Sequence, residues 1–382
     1  MNVVFLCHMF PNNLCPFSVP FMLERAKALS HHIHLEVVSP VGFFPIVKDR
    51  LPELHGSIDG LSMHHPRYLT LPSLLWSLRW YPYLLAFRSH WKNLQFKCEM
   101  LHVEWIYPDA YAAVKLAKPK GVKTVGVVHG NEAIEYFGPA RHRKKYMEAF
   151  DRLDHIIVVS DDLKHKLINE YSVDSGKISV ILNGVNVEKF PLTDKDYARS
   201  KLGISGKAPV GVCVARLSEE KNLDILIKVA ATLKNEAPLI YIVGDGPLRK
   251  KLQTLINDLG MQTKIKLVGV VPHDDVALWL NAANFFYLPS RREGCPVVVH
   301  EALACGVPVI ATAVGAIPDL VKNDRYGLLC EPDNVTAFAD IMKRAVSMNW
   351  DRNAISAYGR QFTWDKMAME TVKLYDSLIK RA

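Results

Sequence analysis

The sequence predicts an α/β chain of two doubly wound, Rossmann-like domains with an interdomain cleft. Apolar strand-like runs alternate with helix-period segments from one end to the other, the pattern of parallel sheets covered by helices. The 382 residues exceed the size at which a single core usually keeps growing, so two domains are the default. Between the halves, Asn183-Gly184 ends a strand with a turn dipeptide and opens a polar stretch through Phe190-Pro191, a natural linker. The expected domains are therefore residues 1–190, residues 191–363, and a C-terminal helix over 364–382.

In the first half the predicted strands are Val3–Cys7, Leu35–Ser39, Leu101–Trp105, Thr124–His129, Ile156–Ser160 and Ile178–Leu182. In the second they are Val210–Ala215, Ile240–Gly244, Ile265–Leu267, Phe285–Leu288, Val309–Thr312 and Gly327–Leu329, enough for each half to build its own sheet. Ligands of such sheets bind beyond the carboxyl ends of the strands. The final segment, Trp364 to Lys380, has helical period.

A composition of 49% hydrophobic and 23% charged residues is that of an ordinary globular protein, which excludes disorder and fibre. Seven scattered cysteines form no C-x-x-C pair, which predicts reduced thiols in a cytoplasmic protein and argues against structural zinc. The start, Met1 to Pro11, lacks a basic n-region and a long apolar core and reads as a first strand, not a signal peptide. No run of about 18 uncharged apolar residues exists to span a bilayer. A net charge of +8 favours anionic partners: nucleotide-sugars, pyrophosphate lipids, an anionic membrane surface or nucleic acid. Without zinc-finger spacing, an RNP-like aromatic strand or a long Lys/Arg arm, nucleic acid is set aside.

The most informative stretch runs from Ser290 to Ile310. Glu293 and Glu301 stand with seven residues between them across a predicted helix start. Pro296 suits the first turn of that helix, and Gly306 its stop. Glu293 then lies in the loop with Gly294 and Cys295, while Glu301 lies on the helix. The N–H groups of Val297 and Val298 at the helix start carry partial positive charge and make an anion site that suits phosphate. An anion pocket flanked by two hydroxyl-accepting carboxylates suits a sugar linked to a phosphate.

This string resembles the signature of the family-4 retaining glycosyltransferases, whose fold, called GT-B, is two doubly wound domains facing each other. In that family a Glu, seven intervening residues and a second Glu grip a nucleotide-sugar. The resemblance extends to Arg216 and Lys221, which match the pattern strand-Arg-Leu-x-x-x-Lys-Asn that supplies two cations to the donor diphosphate. Glu219 and Glu220 between them offer local ion pairs as the bland alternative. It extends also to His129-Gly130, since the family's His lies at the reaction centre beside the transferred sugar, orienting a hydroxyl or stabilising charge near the anomeric carbon.

The resemblance covers nearly the whole chain and implies a nucleotide-diphosphate sugar donor, metal-independent transfer and retention of configuration. It further implies a glycan or polyprenyl-pyrophosphate-linked acceptor in cell-surface polysaccharide synthesis, of the teichuronic-acid or lipopolysaccharide type. Glu301 would accept the ribose hydroxyls, Glu293 the sugar hydroxyls, and Arg216 with Lys221 would steady the leaving diphosphate. No second acid supports Glu293 as a covalent nucleophile, so front-side transfer is preferred. By the same resemblance the last helix crosses back onto the first domain.

Two motifs depart from the family pattern. The loop Phe10 to Ser18 lacks the glycines of many relatives, leaving Asn12 or Asn13 as turn-former. Gly315-Ala316-Ile317-Pro318-Asp319 replaces the second Gly and the Glu of a Gly-Gly-x-Pro-Glu turn. Other strings carry no chemistry. Gly244-Asp245-Gly246 lacks the third glycine of a dinucleotide fingerprint, and a tight turn explains it. Asp194-Lys195-Asp196 lies in the linker, and His300-Glu301 lacks a second histidine, so neither a metal nor another cofactor is expected.

Between Leu74 and Lys92, Trp76, Trp80, Phe87 and Trp91 recur at helical spacing among Arg79, Arg88 and Lys92. The pattern fits a helix in a bilayer interface, with the basic run Arg141 to Lys145 as a second lipid contact and the inner face of the plasma membrane as the location. A helix packed on the first domain fits it equally well. Rival functions are a GT-B nucleotide-sugar epimerase or sugar phosphorylase, separable by products from donor alone, and a non-catalytic sugar- or membrane-binding protein. The last would be expected to lack Arg216, Lys221 or Glu293, and all three are present.

Overall fold

The computed structural model describes residues 1–15, 19–44, 51–70, 77–130 and 143–380. Two compact units result: Met1–Asn183 with Trp364–Ala382, and Gly184–Thr363. The division falls ahead of Phe190, because the polar stretch after Asn183 packs into the second unit. Phe190 is fully buried with its ring against His273, and Val185 pairs with Thr363. Trp76, Arg141 and His142 lie outside the described residues, as do Pro16, Phe17, Ser18, Asn131 and Glu132.

The first unit contributes strands β1 (Asn2–Leu6), β2 (His34–Val38), β3 (Val41–Phe43), β4 (His55–Ile58), β5 (Leu61–His64), β6 (Arg67–Leu69), β7 (Met100–Val103), β8 (Lys123–Val128), β9 (His155–Val158) and β10 (Ile178–Val180). Eight of them form a sheet in the order β10-β9-β8-β7-β1-β2-β5-β4, and β3 pairs separately with β6. Only β4 runs antiparallel in that sheet, paired with β5 through the turn Asp59-Gly60. Both turn residues have positive φ, 51° and 85°, as a two-residue hairpin requires. Val3, Val4, Phe5 and Leu6 of β1 are all buried, since helices cover both faces of the sheet.

The helix Trp80–Trp91 turns Tyr83, Ala86 and Phe87 inward. Its tryptophans pack within the unit as well, Trp80 against Tyr111 and Trp91 against Phe87. The last helix, Trp364–Lys380, lies against the helix Pro20–Ser30, and its Tyr375 is fully buried.

The second unit contributes β11 (Val210–Val214), β12 (Leu239–Val243), β13 (Ile265–Gly269), β14 (Phe285–Leu288), β15 (Val309–Thr312) and β16 (Gly327–Cys330). Their order is β13-β12-β11-β14-β15-β16, parallel throughout. The winding direction reverses between β11 and β14, so the ligand crevice of this unit lies beyond the carboxyl ends of those two strands. The helix Leu223–Leu233 buries Leu223, Leu226, Ile227, Ala230 and Leu233, a stripe of three- and four-residue steps, onto the core beneath. Among the described residues no helix is long and apolar enough to cross a membrane.

Candidate functional site

The predicted donor residues of the second unit converge on the reversal point of its sheet. Arg216 stands just beyond β11, exposed and without an ion pair among the described residues. The turn after β12 braces its segment: Leu217 N–H donates to Asp245 O at 3.0 Å, and Leu248 N–H to Leu217 O at 2.9 Å. A Cβ on Gly244 would stand 2.1 Å from Ala215 O, and one on Gly246 2.6 Å from Leu217 O. The Gly-x-Gly string is thus a close backbone approach that seats Arg216.

Lys221 ends a short turn, and Asn222, in the left-handed region at φ 54°, redirects the chain into the helix Leu223–Leu233. Its ammonium donates to both carboxylate oxygens of Glu293, at 2.7 and 2.9 Å, and Ser290 Oγ donates to Glu293 Oε1 at 2.6 Å. Lys221 and Glu293 therefore form one partly buried ion pair at the reversal point. The nearer acids have other partners. Glu219 lies 3.5 Å from Lys251, and Glu220 accepts from Ser218 Oγ at 2.5 Å. Burial pushes the Glu220 carboxyl up, but the Ser218 hydroxyl, Lys221 and Arg216 bring it below its ordinary value.

The loop that carries Glu293 is braced from two sides. Arg291 N–H donates to Glu220 O at 2.8 Å, and its guanidinium reaches Asp333 Oδ1 at 2.7 Å. Ala316 N–H donates to Gly294 O at 2.8 Å, and a Cβ on Gly315, at φ 56°, would stand 2.4 Å from Glu293 O. The Cys295 side chain is spent inside the fold: its sulfur lies 3.3 Å from His300 Nε2, and burial pushes that histidine down to about 3.

Pro296 occupies the cap position of the helix Val297–Ala304, one residue ahead of the expected first turn, with extended backbone at ψ 109°. Val297 and Val298 are the first two helical residues, whose N–H groups have no acceptor within the helix. Gly306, at φ 70°, closes the helix. Glu301 is buried, and its Oε1 lies 3.0 Å from His273 Nε2. That hydrogen bond raises His273 above its ordinary value, although burial opposes it. His273 opens a different helix, His273–Ala282, so no spacing in the sequence links it to Glu301. Ser290 heads the stretch that carries Glu293 but belongs to no motif of its own.

His129 belongs to the first unit and directly follows β8. Its Nε2 lies 2.5 Å from Glu104 Oε2. Glu104 Oε1 in turn takes His102 Nε2 at 2.7 Å and Arg25 Nε at 2.9 Å, and Tyr375 Oη stands 2.5 Å from His102 Nδ1. Every member is buried. Burial pushes the Glu104 carboxyl up, but Arg25, His102 and His129 hold it well below the usual carboxylate range. Burial also lowers both histidines, although the Glu104 carboxylate opposes it, and so favours their neutral forms. One proton arrangement satisfies the chain: Tyr375 donates to His102 Nδ1, and both histidines donate from Nε2 to the Glu104 carboxylate. His129 Nδ1 is then a lone-pair acceptor, buried and without a partner among the described residues. At the end of β1, Asn12 Oδ1 accepts the N–H groups of Leu14 and Cys15, both at 3.0 Å, and so shapes the loop that lacks glycine.

Known proteins share this sequence pattern. A model of glycosyl transferases group 1 matches residues 194–362, and one of glycosyltransferase family 4 matches residues 22–189. The chain belongs to the family-4 glycosyltransferases. Among this family's curated members it is 26% identical to a putative teichuronic acid biosynthesis glycosyltransferase, TuaC of Bacillus subtilis, over 90% of this chain and 89% of that one. It is 32% identical to the amylovoran biosynthesis glycosyltransferase AmsK of Erwinia amylovora, over 58% of this chain and 54% of that one. The chain thus spans about half to two thirds of the length of some curated relatives that it matches. Among solved structures, Anabaena HepE in complex with UDP superposes with a TM-score of 0.77 at 18% identity, over 99% of this chain and all of that one. The shared fold is GT-B.

Proposed function

We propose that this family-4 glycosyltransferase moves a sugar, with retention of configuration, from a nucleotide-diphosphate sugar to a glycan or polyprenyl-pyrophosphate-linked acceptor. The observation that carries the reading is the Lys221–Glu293 pair at the reversal point of the second unit's sheet, with Arg216 beyond the neighbouring strand. Family-4 resemblance assigns those residues to the diphosphate and the sugar hydroxyls. A bound donor would exchange the ion pair for its own contacts, ammonium to phosphate and carboxylate to hydroxyl. Arg216 and the N–H groups of Val297 and Val298 add donors for the charge that grows on the leaving diphosphate, the main catalytic contribution.

Glu301, held by His273 through one oxygen, accepts the ribose hydroxyls. The lone pair on His129 Nδ1 accepts a hydroxyl of the transferred sugar. UDP in the structure of HepE favours a uridine donor, and the named roles of TuaC and AmsK favour surface polysaccharide as the product. Transfer proceeds at the front side without a metal, on the cytoplasmic side of the membrane.

Thermal unfolding in the presence of UDP-, GDP- and ADP-sugars tests the donor. One base is expected to raise the midpoint, and no shift with any of them would sink the reading. Product analysis with and without acceptor then separates transfer from epimerisation, which needs donor alone.

A further inference from the structure

At the edge of the first unit's sheet, three elements bring together side chains that ligate metals. Glu36 of β2, His64 of β5 and His90 of the helix Trp80–Trp91 each offer one ligand atom, and these atoms lie within 4.8 Å of one another. His90 Nε2 is 2.8 Å from Glu36 Oε1, and His64 Nε2 is 3.5 Å from the same oxygen. A zinc ion held tetrahedrally at about 2.0–2.2 Å from nitrogen and oxygen sets its ligand atoms a little over 3 Å apart, the scale seen here.

A fourth residue fixes the ring of His64. His55 is its direct partner in the β4–β5 hairpin, and their Nδ1 atoms stand 2.7 Å apart. Two ring nitrogens at that distance share one proton, so one donates and the other accepts. With His64 as donor, its Nε2 keeps the lone pair that a metal requires, and His55 acts as the outer partner that orients a ligating imidazole. The side chains of Glu36, His64 and His90 are 12%, 20% and 10% exposed, enclosed yet within reach of an ion from solvent.

We propose that Glu36, His64 and His90 form a site for a divalent transition metal of the zinc class, with water as fourth ligand and His55 positioning His64. The site clips the neighbouring strands β2 and β5 to the helix Trp80–Trp91. None of its residues is among the predicted donor residues, so the expectation that transfer needs no metal is untouched. The expectation against structural zinc rested on cysteine spacing, which does not speak to ligands at positions 36, 64 and 90.

The chelator-treated 382-residue chain, titrated with zinc chloride, tests this by stoichiometry and thermal midpoint. One equivalent is expected to bind and raise the midpoint, and cobalt in its place should give the visible absorption of a tetrahedral ion. His55→Ala should weaken zinc about 10- to 100-fold. His90→Gln should abolish the stoichiometric site, while His31→Gln, at an exposed histidine apart from the cluster, should change nothing. Should His90→Gln melt abnormally without metal, His55→Ala with the wild-type titration carries the test. No zinc-dependent rise in the wild type, or binding unchanged in His55→Ala and His90→Gln, overturns the proposal.

Discussion

Arg216 and Lys221 look equivalent in the sequence and differ in the fold. Lys221 is committed to Glu293 until something displaces it, whereas Arg216 stands exposed with no ion pair among the described residues. A donor aimed at developing negative charge supplies about 2.7–4 kcal/mol of barrier lowering. Arg216→Ala should therefore lower turnover by about two to three powers of ten, and near-normal turnover in a folded Arg216→Ala protein would refute its assignment. His273 gives a second prediction. Its raised value means that the folded state holds a proton more tightly than the unfolded chain does. Its contribution to stability is complete below the ordinary value of 6.5 and fades as pH rises through the raised value. Unfolding free energy measured from pH 6.5 upward should fall less steeply in His273→Gln than in the wild type, and equal slopes would sink the pairing with Glu301. Arg216, Lys221, Glu293 and Glu301 were legible in the sequence because a loop–helix signature and a strand–loop–helix signature carry them. His273 was not, since it meets Glu301 only through packing, and Ser290, although three residues from Glu293, belongs to no signature.

At the scale of elements, the glycine turn after β15 shapes the loop after β14. A side chain on Gly315 must both occupy φ 56° and meet Glu293 O at 2.4 Å. The left-handed conformation alone costs about 1–2 kcal/mol for another residue, so Gly315→Ala should exceed that in a urea titration and weaken nucleotide-sugar binding with it. Unchanged donor affinity would show that Gly315 does not position Glu293. The last helix has a comparable role toward the Glu104 network. Tyr375→Phe leaves His102 Nδ1 buried without its donor, a loss of about 1–3 kcal/mol in unfolding free energy. A value within error of zero would exclude Tyr375 from the network. Buried strands such as β1, β7 and β14 were evident as apolar runs. The strands β3 to β6 were not, because three or four residues, several of them exposed, are too short a run to establish a period, although Asp59-Gly60 was a hairpin signal open to reading.

At the scale of the molecule, a bound donor stabilises the unit that holds it by mass action. Nucleotide-sugar at a hundred times its dissociation constant should add about 2.7 kcal/mol to unfolding. The gain should vanish in a double variant that lacks both Arg216 and Glu301, and its persistence there would place the donor elsewhere. The sequence by itself determined the two doubly wound halves and the loop and helix places of Glu293 and Glu301. Periodicity, turn dipeptides and cap residues are local, and each acts within a few residues. The tertiary structure alone decided that Gly184 to Phe190 joins the second unit, that Lys221 meets Glu293, that Tyr375 reaches the network of His129, and that Glu36, His64 and His90 meet at one point. Those contacts join residues far apart in the chain, and only sheet order and helix packing bring them within hydrogen-bonding reach.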